Sequence, residues 1–314
     1  MKKIVEVAAA VILRPDGSFL LGQRAPDTFY PGYWEFPGGK VEPGETPREA
    51  LIRELHEELA IDVVEATPWI VREHVYEHAH VRLHFFRVTR WQGDLRDQVH
   101  AALSWQQAEA PDVAPMLPAN APVLAALRLP PRYAITHAWK IGTATQMARL
   151  EAALADGLRL IQLREAALPE PVRVDFCNQA VQLCHQYGAQ VLINGDPPLA
   201  RRSSADGLHL PAAQLMDTAT RPDFPLVAAS AHNAEELSHA ARLGLDCVVL
   251  GPVKPTATHP ELTGIGWETF AQLIGGYPLP VYGLGGLGNT DLATAQAAGA
   301  QGIAAIRAAW ASQD

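Results

Sequence analysis

The sequence predicts two α/β domains in series, an α/β/α sandwich over residues 1–129 and a (β/α)8 barrel over residues 132–314. Three observations predict this. A chain of 314 residues exceeds the size at which one hydrophobic core usually suffices. The proline-rich stretch Leu127-Arg128-Leu129-Pro130-Pro131-Arg132 interrupts the pattern between a helical run and a new apolar strand, which marks a junction. Before that stretch, strands surround one acidic helix; after it, eight short apolar segments recur with helical or loop segments between them.

In the first domain, apolar alternation predicts strands over residues 5–13 and 19–23, joined by the turn Pro15-Asp16-Gly17. A helix is expected over residues 46–59, where Thr46 and Glu49 form a capping box. Strands follow over 69–74 and 80–91, and a short helix begins at Pro122. In the second domain the strands fall at 133–136, 158–164, 191–194, 207–210, 226–231, 247–251, 280–283 and 302–306. The clearest helices are 145–154, 172–187, 234–243 and 291–298. The segment is shorter than the roughly 250 residues typical of such a barrel, so some crossover helices must be very short.

Composition limits the function. Hydrophobic residues make up 48% and charged residues 19%, which supports packed cores and argues against disorder. A net charge of −9 opposes binding to polymeric nucleic acid yet permits a free nucleotide held through a metal ion. Cys177, Cys184 and Cys247 lack metal-ligand spacing and read as core thiols. No signal peptide or membrane span is evident, so the cytoplasm is the expected compartment.

The densest chemistry lies in Gly38-Gly39-Lys40-Val41-Glu42-Pro43-Gly44-Glu45 and Arg53-Glu54-Leu55-His56-Glu57-Glu58. Glu54, Glu57 and Glu58 stand at i, i+3 and i+4, so their carboxylates share one helix face and repel one another unless a cation joins them. Hard cations such as Mg²⁺ take carboxylate and phosphate oxygens, which gives the repulsion a purpose. A solvated acidic face is the alternative. His74, His78, His80 and His84 form a second polar group; no cysteine or carboxylate completes a zinc set there. His80, Arg82 and His84 alternate along one strand face and fit a cationic wall beside phosphates.

Gly39, five residues, Glu45, seven residues, then Arg53-Glu54-Leu55-His56-Glu57-Glu58-Leu59-Ala60-Ile61 resembles the signature box of Nudix hydrolases at every fixed position but one. Ala60 replaces a glycine that normally ends the helix in a left-handed conformation, at a cost of about 1 kcal/mol. The resemblance implies Mg²⁺ (or Mn²⁺) held by Glu54, Glu57, Glu58 and the Gly38 carbonyl, with Arg53 and Glu45 orienting the ligands. Beyond the box, Gly22-Gln23-Arg24, Trp34-Glu35-Phe36-Pro37-Gly38-Gly39 and Leu117-Pro118-Ala119-Asn120-Ala121-Pro122-Val123 resemble the 8-oxo-dGTP diphosphatases. That branch implies a nucleotide substrate cleaved to a monophosphate and pyrophosphate, with Glu54 or Glu57 accepting a proton from water. Asn120 would read the purine edge, Phe36 would supply an apolar wall, and Arg24 a phosphate or base contact. An ordinary reading of Asn120 is a helix cap. Such relatives often carry a further acidic metal ligand in the loop before Trp105; Val99 stands there, with Asp97 or Asp94 as substitutes.

The second domain resembles the thiamine phosphate synthase and thiazole tautomerase family from about Arg132 to Trp310. Gln162-Leu163-Arg164, Ile193-Asn194, Asp206-Gly207-Leu208-His209-Leu210, Ser230-Ala231-His232, Gly251-Pro252-Val253 with Pro255-Thr256, and Gly283-Leu284-Gly285-Gly286 carry the match. The resemblance implies a thiazole phosphate or other phosphate ligand at Gly285 and Gly286, and His232 as an acid/base group. Departures are Gly195 for an Asp, Pro211-Ala212-Ala213 for acids, and Ala166 and His259 for lysines, which leaves pyrophosphate departure poorly supported. The expected activity is therefore the sanitising pyrophosphohydrolase. The alternatives are hydrolysis of a thiamine-precursor diphosphate, or a barrel acting as a thiazole-phosphate sensor or tautomerase.

Overall fold

The computed structural model describes residues 3–255 and 263–310, so Thr256 and His259 lie outside the described residues. The chain divides into two compact units, residues 1–128 with 275–278, and residues 129–274 with 279–314.

The first unit runs β1 (Ile4–Ile12), β2 (Phe19–Gln23), β3 (Trp34–Glu35), β4 (Gly38–Lys40), α1 (Pro47–Leu59), β5 (Asp62–Val75), β6 (His80–Gln92), β7 (Ala102–Gln106) and α2 (Ala121–Leu127). One sheet has the order β4-β1-β6-β5, and a second has the order β3-β2-β7. Strand β1 shows why the layers form. Ala8, Ala10 and Ile12 face one way and pack with Leu51, Leu55 and Leu59 of α1, while Ala9 and Val11 face the other and pack with Phe19, Phe36 and Val123. Each side thus buries a separate core. The capping box is present: Thr46 accepts from Glu49 N, and the Glu49 carboxylate accepts from Thr46 N. Helix α1 ends at Ala60 with φ 56°, the left-handed cap that its family position requires, here without glycine.

The second unit is a closed barrel of eight parallel strands, β8 (Arg132–Ile135), β9 (Leu160–Leu163), β10 (Gln190–Asn194), β11 (Gly207–Leu210), β12 (Leu226–Ala231), β13 (Cys247–Leu250), β14 (Val281–Leu284) and β15 (Gly302–Ala305). Its helices are α3 (Ala138–Ile141), α4 (Thr143–Ala155), α5 (Glu170–Gln186), α6 (Pro197–Arg202), α7 (Ala212–Asp217), α8 (Ala234–Leu243), α9 (Gly266–Ile274) and α10 (Leu292–Ala297). Three of them, α6, α7 and α10, have six residues each, the short crossovers that the length demanded. Tyr133, Leu160, Leu192, Ala228, Val249, Tyr282 and Ala304 fill the barrel interior. Cys177, Cys184 and Cys247 are buried free thiols. No helix among the described residues is long and apolar enough to cross a membrane.

Candidate active site

The carboxylates of α1 meet the Gly38-Gly39 strand edge. A side chain at Gly39 would overlap the Glu54 carboxylate, so the glycine is what lets strand and acid touch. Gly38 N donates to Glu58 Oε2 at 3.1 Å. Arg53 organises the remainder: its Nε donates to Glu45 Oε1 at 2.7 Å, its Nη2 to Glu45 Oε2 at 3.0 Å and to the Lys40 carbonyl at 3.1 Å, and its Nη1 lies 2.9 Å from Glu54 Oε1 and 3.3 Å from Glu57 Oε2. Hydrogen bonds from Arg53 hold the Glu45 carboxyl down at about 2, a permanent anion that fixes the guanidinium. Glu58 goes the other way, pushed up to about 8 by burial and then by the charge of Glu54, against the opposing Gly38 N–H.

The buried Glu58 carboxyl, beside Glu54 on a glycine edge, has no arginine or lysine paired with it, and this donor chemistry fits a hard divalent metal. As they stand, no three His, Cys, Asp or Glu side chains among the described residues are grouped to hold an ion. Glu57 is 59% exposed and turned toward Arg53.

The loop before β7 departs from expectation in an informative way. Asp94 is 91% exposed, whereas Asp97 Oδ1 accepts from Val99 N (3.2 Å) and His100 N (2.8 Å) and lies 3.3 Å from His100 Nδ1. The His100 imidazole is buried, its pKa lowered by burial although Asp97 opposes this, and its Nε2 lies 4.0 Å from Glu58 Oε2. The sequence reading passed over His100; the signal was its place one residue after the missing acid.

Two expected substrate contacts are placed elsewhere. Phe36 is 4% exposed and packs against Phe19 and Phe85, each with ring centroids 5.7 Å away, so it belongs to the core. Arg24 donates from Nη1 to both Glu35 oxygens (2.7 and 2.6 Å) and from Nε to the Phe29 carbonyl (2.5 Å), so its charge is already matched. Glu35 is raised by burial even so. Around this pair gather aromatic rings that sequence reasoning missed: Tyr30 with Tyr33, Tyr76 and His78 at 5.3, 5.5 and 5.9 Å, and Phe29 stacked on His78 at 4.4 Å. Asn120 makes no cap bond to α2; its Nδ2 donates to the Trp34 carbonyl at 3.0 Å. The cationic wall is also corrected. Arg82 pairs with Glu73 and Glu6, His84 Nε2 lies 2.7 Å from Glu6 and His80 Nε2 3.1 Å from Glu73, so the basic groups of this face are engaged by carboxylates.

In the barrel, a cavity of about 200 Å³ opens beside β9 and β10, lined by Glu165, Ala166, Arg173, Asn194, Gly195 and Gln214 among others. Gly285 and Gly286 have φ of 107° and 63° and lie close under Pro252 and Lys254. His232 is 56% exposed and paired with Glu236 at 3.0 Å, away from that cavity. Inside the barrel, Gln162 Nε2 donates to the Tyr133 hydroxyl at 3.4 Å, which lies 3.1 Å from His209 Nδ1, and His209 Nε2 lies 2.8 Å from Ser230 Oγ. Burial pushes the His209 imidazole down to about 3.

The Nudix domain family model matches residues 3–127, and the thiamine monophosphate synthase family model matches residues 132–309. The chain belongs to both families. Its Nudix part is 44% identical over 130 residues to the CTP pyrophosphohydrolase of Escherichia coli K12, covering 40% of this chain and 91% of that protein. It is 41% identical over 97 residues to the 8-oxo-dGTP diphosphatase of Proteus vulgaris, covering 31% and 87%. The barrel is 32% identical over 168 residues to a thiamine-phosphate synthase of Bacillus mycoides, covering 51% and 76%. Against that synthase family, the acid one position beyond Gly195 is already engaged: Asp196 caps α6 by accepting from Leu199 N at 3.0 Å and pairs with Arg173 at 3.4 Å. In the Nudix domain Glu54 and Glu57 pair with Arg53, whereas Glu58 accepts from Gly38 N and pairs with no arginine or lysine.

Proposed function

We propose that the Nudix domain is a divalent-metal-dependent pyrophosphohydrolase that converts 8-oxo-dGTP to the monophosphate and pyrophosphate. The observation that carries the base preference is Asn120, which is pinned to the Trp34 carbonyl instead of capping its helix. One amide hydrogen is thereby committed. The carbonyl oxygen and the second hydrogen bond no other described residue, which leaves an acceptor and a donor side by side for a purine edge. Guanine offers N7 and O6 as acceptors, whereas 8-oxoguanine carries a hydrogen on N7, so the Asn120 acceptor favours the oxidised base. Tyr76, whose hydroxyl meets the Ala119 backbone, takes over the stacking wall expected of Phe36.

Glu54, Glu57 and Glu58, with the Gly38 carbonyl, would hold Mg²⁺ or Mn²⁺, and such an ion when bound neutralises phosphate charge and activates water. Arg53 positions Glu54 and Glu57, and Glu45 fixes Arg53. Glu57, the most exposed of the three and paired with Arg53, is the group that accepts the water's proton. Likeness to the E. coli CTP pyrophosphohydrolase favours a second reading with a pyrimidine triphosphate. Asn120→Ala separates them: 8-oxo-dGTP turnover should fall by about 10–100-fold relative to dGTP if the amide reads the base. An unchanged ratio would remove Asn120 from recognition.

For the barrel, the missing acids and the engaged Asp196 favour a phosphate-ligand-binding role over synthesis. Calorimetric titration of the full chain with thiazole phosphate, alongside an assay for thiamine phosphate formation, tests this; product formation would reverse it.

A further inference from the structure

We propose that His100 Nε2 ligates the metal alongside Glu58, in place of the carboxylate that Val99 removes, and that the site consequently prefers Mn²⁺ and other nitrogen-binding divalent ions to Mg²⁺. This rests on reading the α1 carboxylates as metal ligands, and it names which ion suits them.

Three observations carry it. The imidazole is placed, not loose: its side chain is 5% exposed and lies against Gly22, where any Cβ would collide with the ring. Ala101 N donates to the Gln23 carbonyl at 2.8 Å, which ties the end of the loop to β2 and holds the ring at that spot. The tautomer is also set. Asp97 Oδ1 can only accept, so the hydrogen sits on Nδ1, 3.3 Å away, and the Nε2 lone pair is left for another partner. A carboxylate holding the far nitrogen of an imidazole is the arrangement that orients and strengthens a metal-binding histidine. Finally, Nε2 stands 4.0 Å from Glu58 Oε2, too far for a hydrogen bond and close to the separation of two donors on opposite sides of one ion, about 4 Å for bonds of about 2 Å. Oxygen-only sites suit Mg²⁺; an imidazole shifts affinity along the transition-metal order.

The test uses the full chain with Mn²⁺ as the probe. Pulsed electron paramagnetic resonance should show coupling of bound Mn²⁺ to a histidine nitrogen in the wild type, and His100→Gln should abolish it. The same substitution should weaken Mn²⁺ binding by about tenfold or more, with a smaller loss for Mg²⁺. Bound Mn²⁺ without nitrogen coupling, coupling that persists in His100→Gln, or equal losses for the two ions would each overturn the assignment. Glu58→Gln separates this from failure of the site itself: if Mn²⁺ binds equally well without the Glu58 carboxylate, the α1 metal site is wrong, whatever His100 does.

Discussion

The two domains match most of their charges alike and differ in how each holds a buried acid. In the Nudix domain, Glu58 is buried near Glu54 and Glu35 with no cation of its own, and its proton affinity rises to about 8. In the barrel, Asp196 pairs with Arg173, His232 with Glu236, and Lys254 Nζ with Asp291 at 2.6 Å, while the buried Glu165 carboxylate accepts from Ala138 N and Trp139 N. Folding tolerates an uncompensated buried charge only when something outside the chain compensates it. The comparison supports the metal role proposed for the first domain and the ligand-binding role proposed for the second, although both carry family motifs.

The comparison breaks most decisively at Glu57. Glu57→Gln should lower kcat/KM for the nucleotide by about 10³-fold in a steady-state assay, the scale of losing one preorganised catalytic group. A comparable loss from His232→Ala, in any reaction of the barrel, would erase the contrast.

Stability against pH sharpens it. Because the folded-state pKa of Glu58 exceeds the ordinary value of 4.5, the folded protein binds the proton more tightly than the unfolded chain. Metal-free protein should consequently lose stability as pH rises from about 5 to 8, with no penalty from this group below that range. Saturating metal, which replaces the proton, should remove the slope, and Glu58→Gln should flatten it. Thermal melts across that range check this; an unchanged slope in the variant would show that Glu58 is compensated internally.

Within the barrel, His209→Ala should cost about 1–3 kcal/mol in urea unfolding, since the buried Tyr133 hydroxyl loses the nearer of its two partners. His232→Ala should cost under about 1 kcal/mol, because its pair with Glu236 is exposed. The smallest expected effect is a gain: Ala60→Gly should stabilise the Nudix domain by about 1 kcal/mol by relieving the positive φ. A loss there would mean that the Ala60 methyl makes packing contacts worth more than the strain.

Legibility in the sequence followed the range of the interactions. The β1 alternation, the Thr46–Glu49 capping box and the Ala60 left-handed cap are local and were readable. Strands β3 and β4, of two and three residues, are too short to show a period, so the burial of Phe36 beside them was not. Strand β5 begins at Asp62, earlier than expected, because Pro68 and a bulge between Pro68 and Val71 disguise its alternation. The pairing that engages Arg82 depends on register across three strands, which sets Glu6 and Glu73 opposite Arg82 and which composition along β6 alone does not encode. His100 needed tertiary structure because its partners, Gly22 and Glu58, come from distant segments.

The most direct test of the central claim is a comparison of metal-dependent kcat/KM for 8-oxo-dGTP, dGTP, CTP and a thiamine-precursor diphosphate, using the full chain with Glu57→Gln as the blank. A preference for 8-oxo-dGTP that vanishes in the variant is the predicted result. A preference for CTP or for the thiamine precursor would contradict the role given to Asn120, and the latter would join the two domains in one pathway.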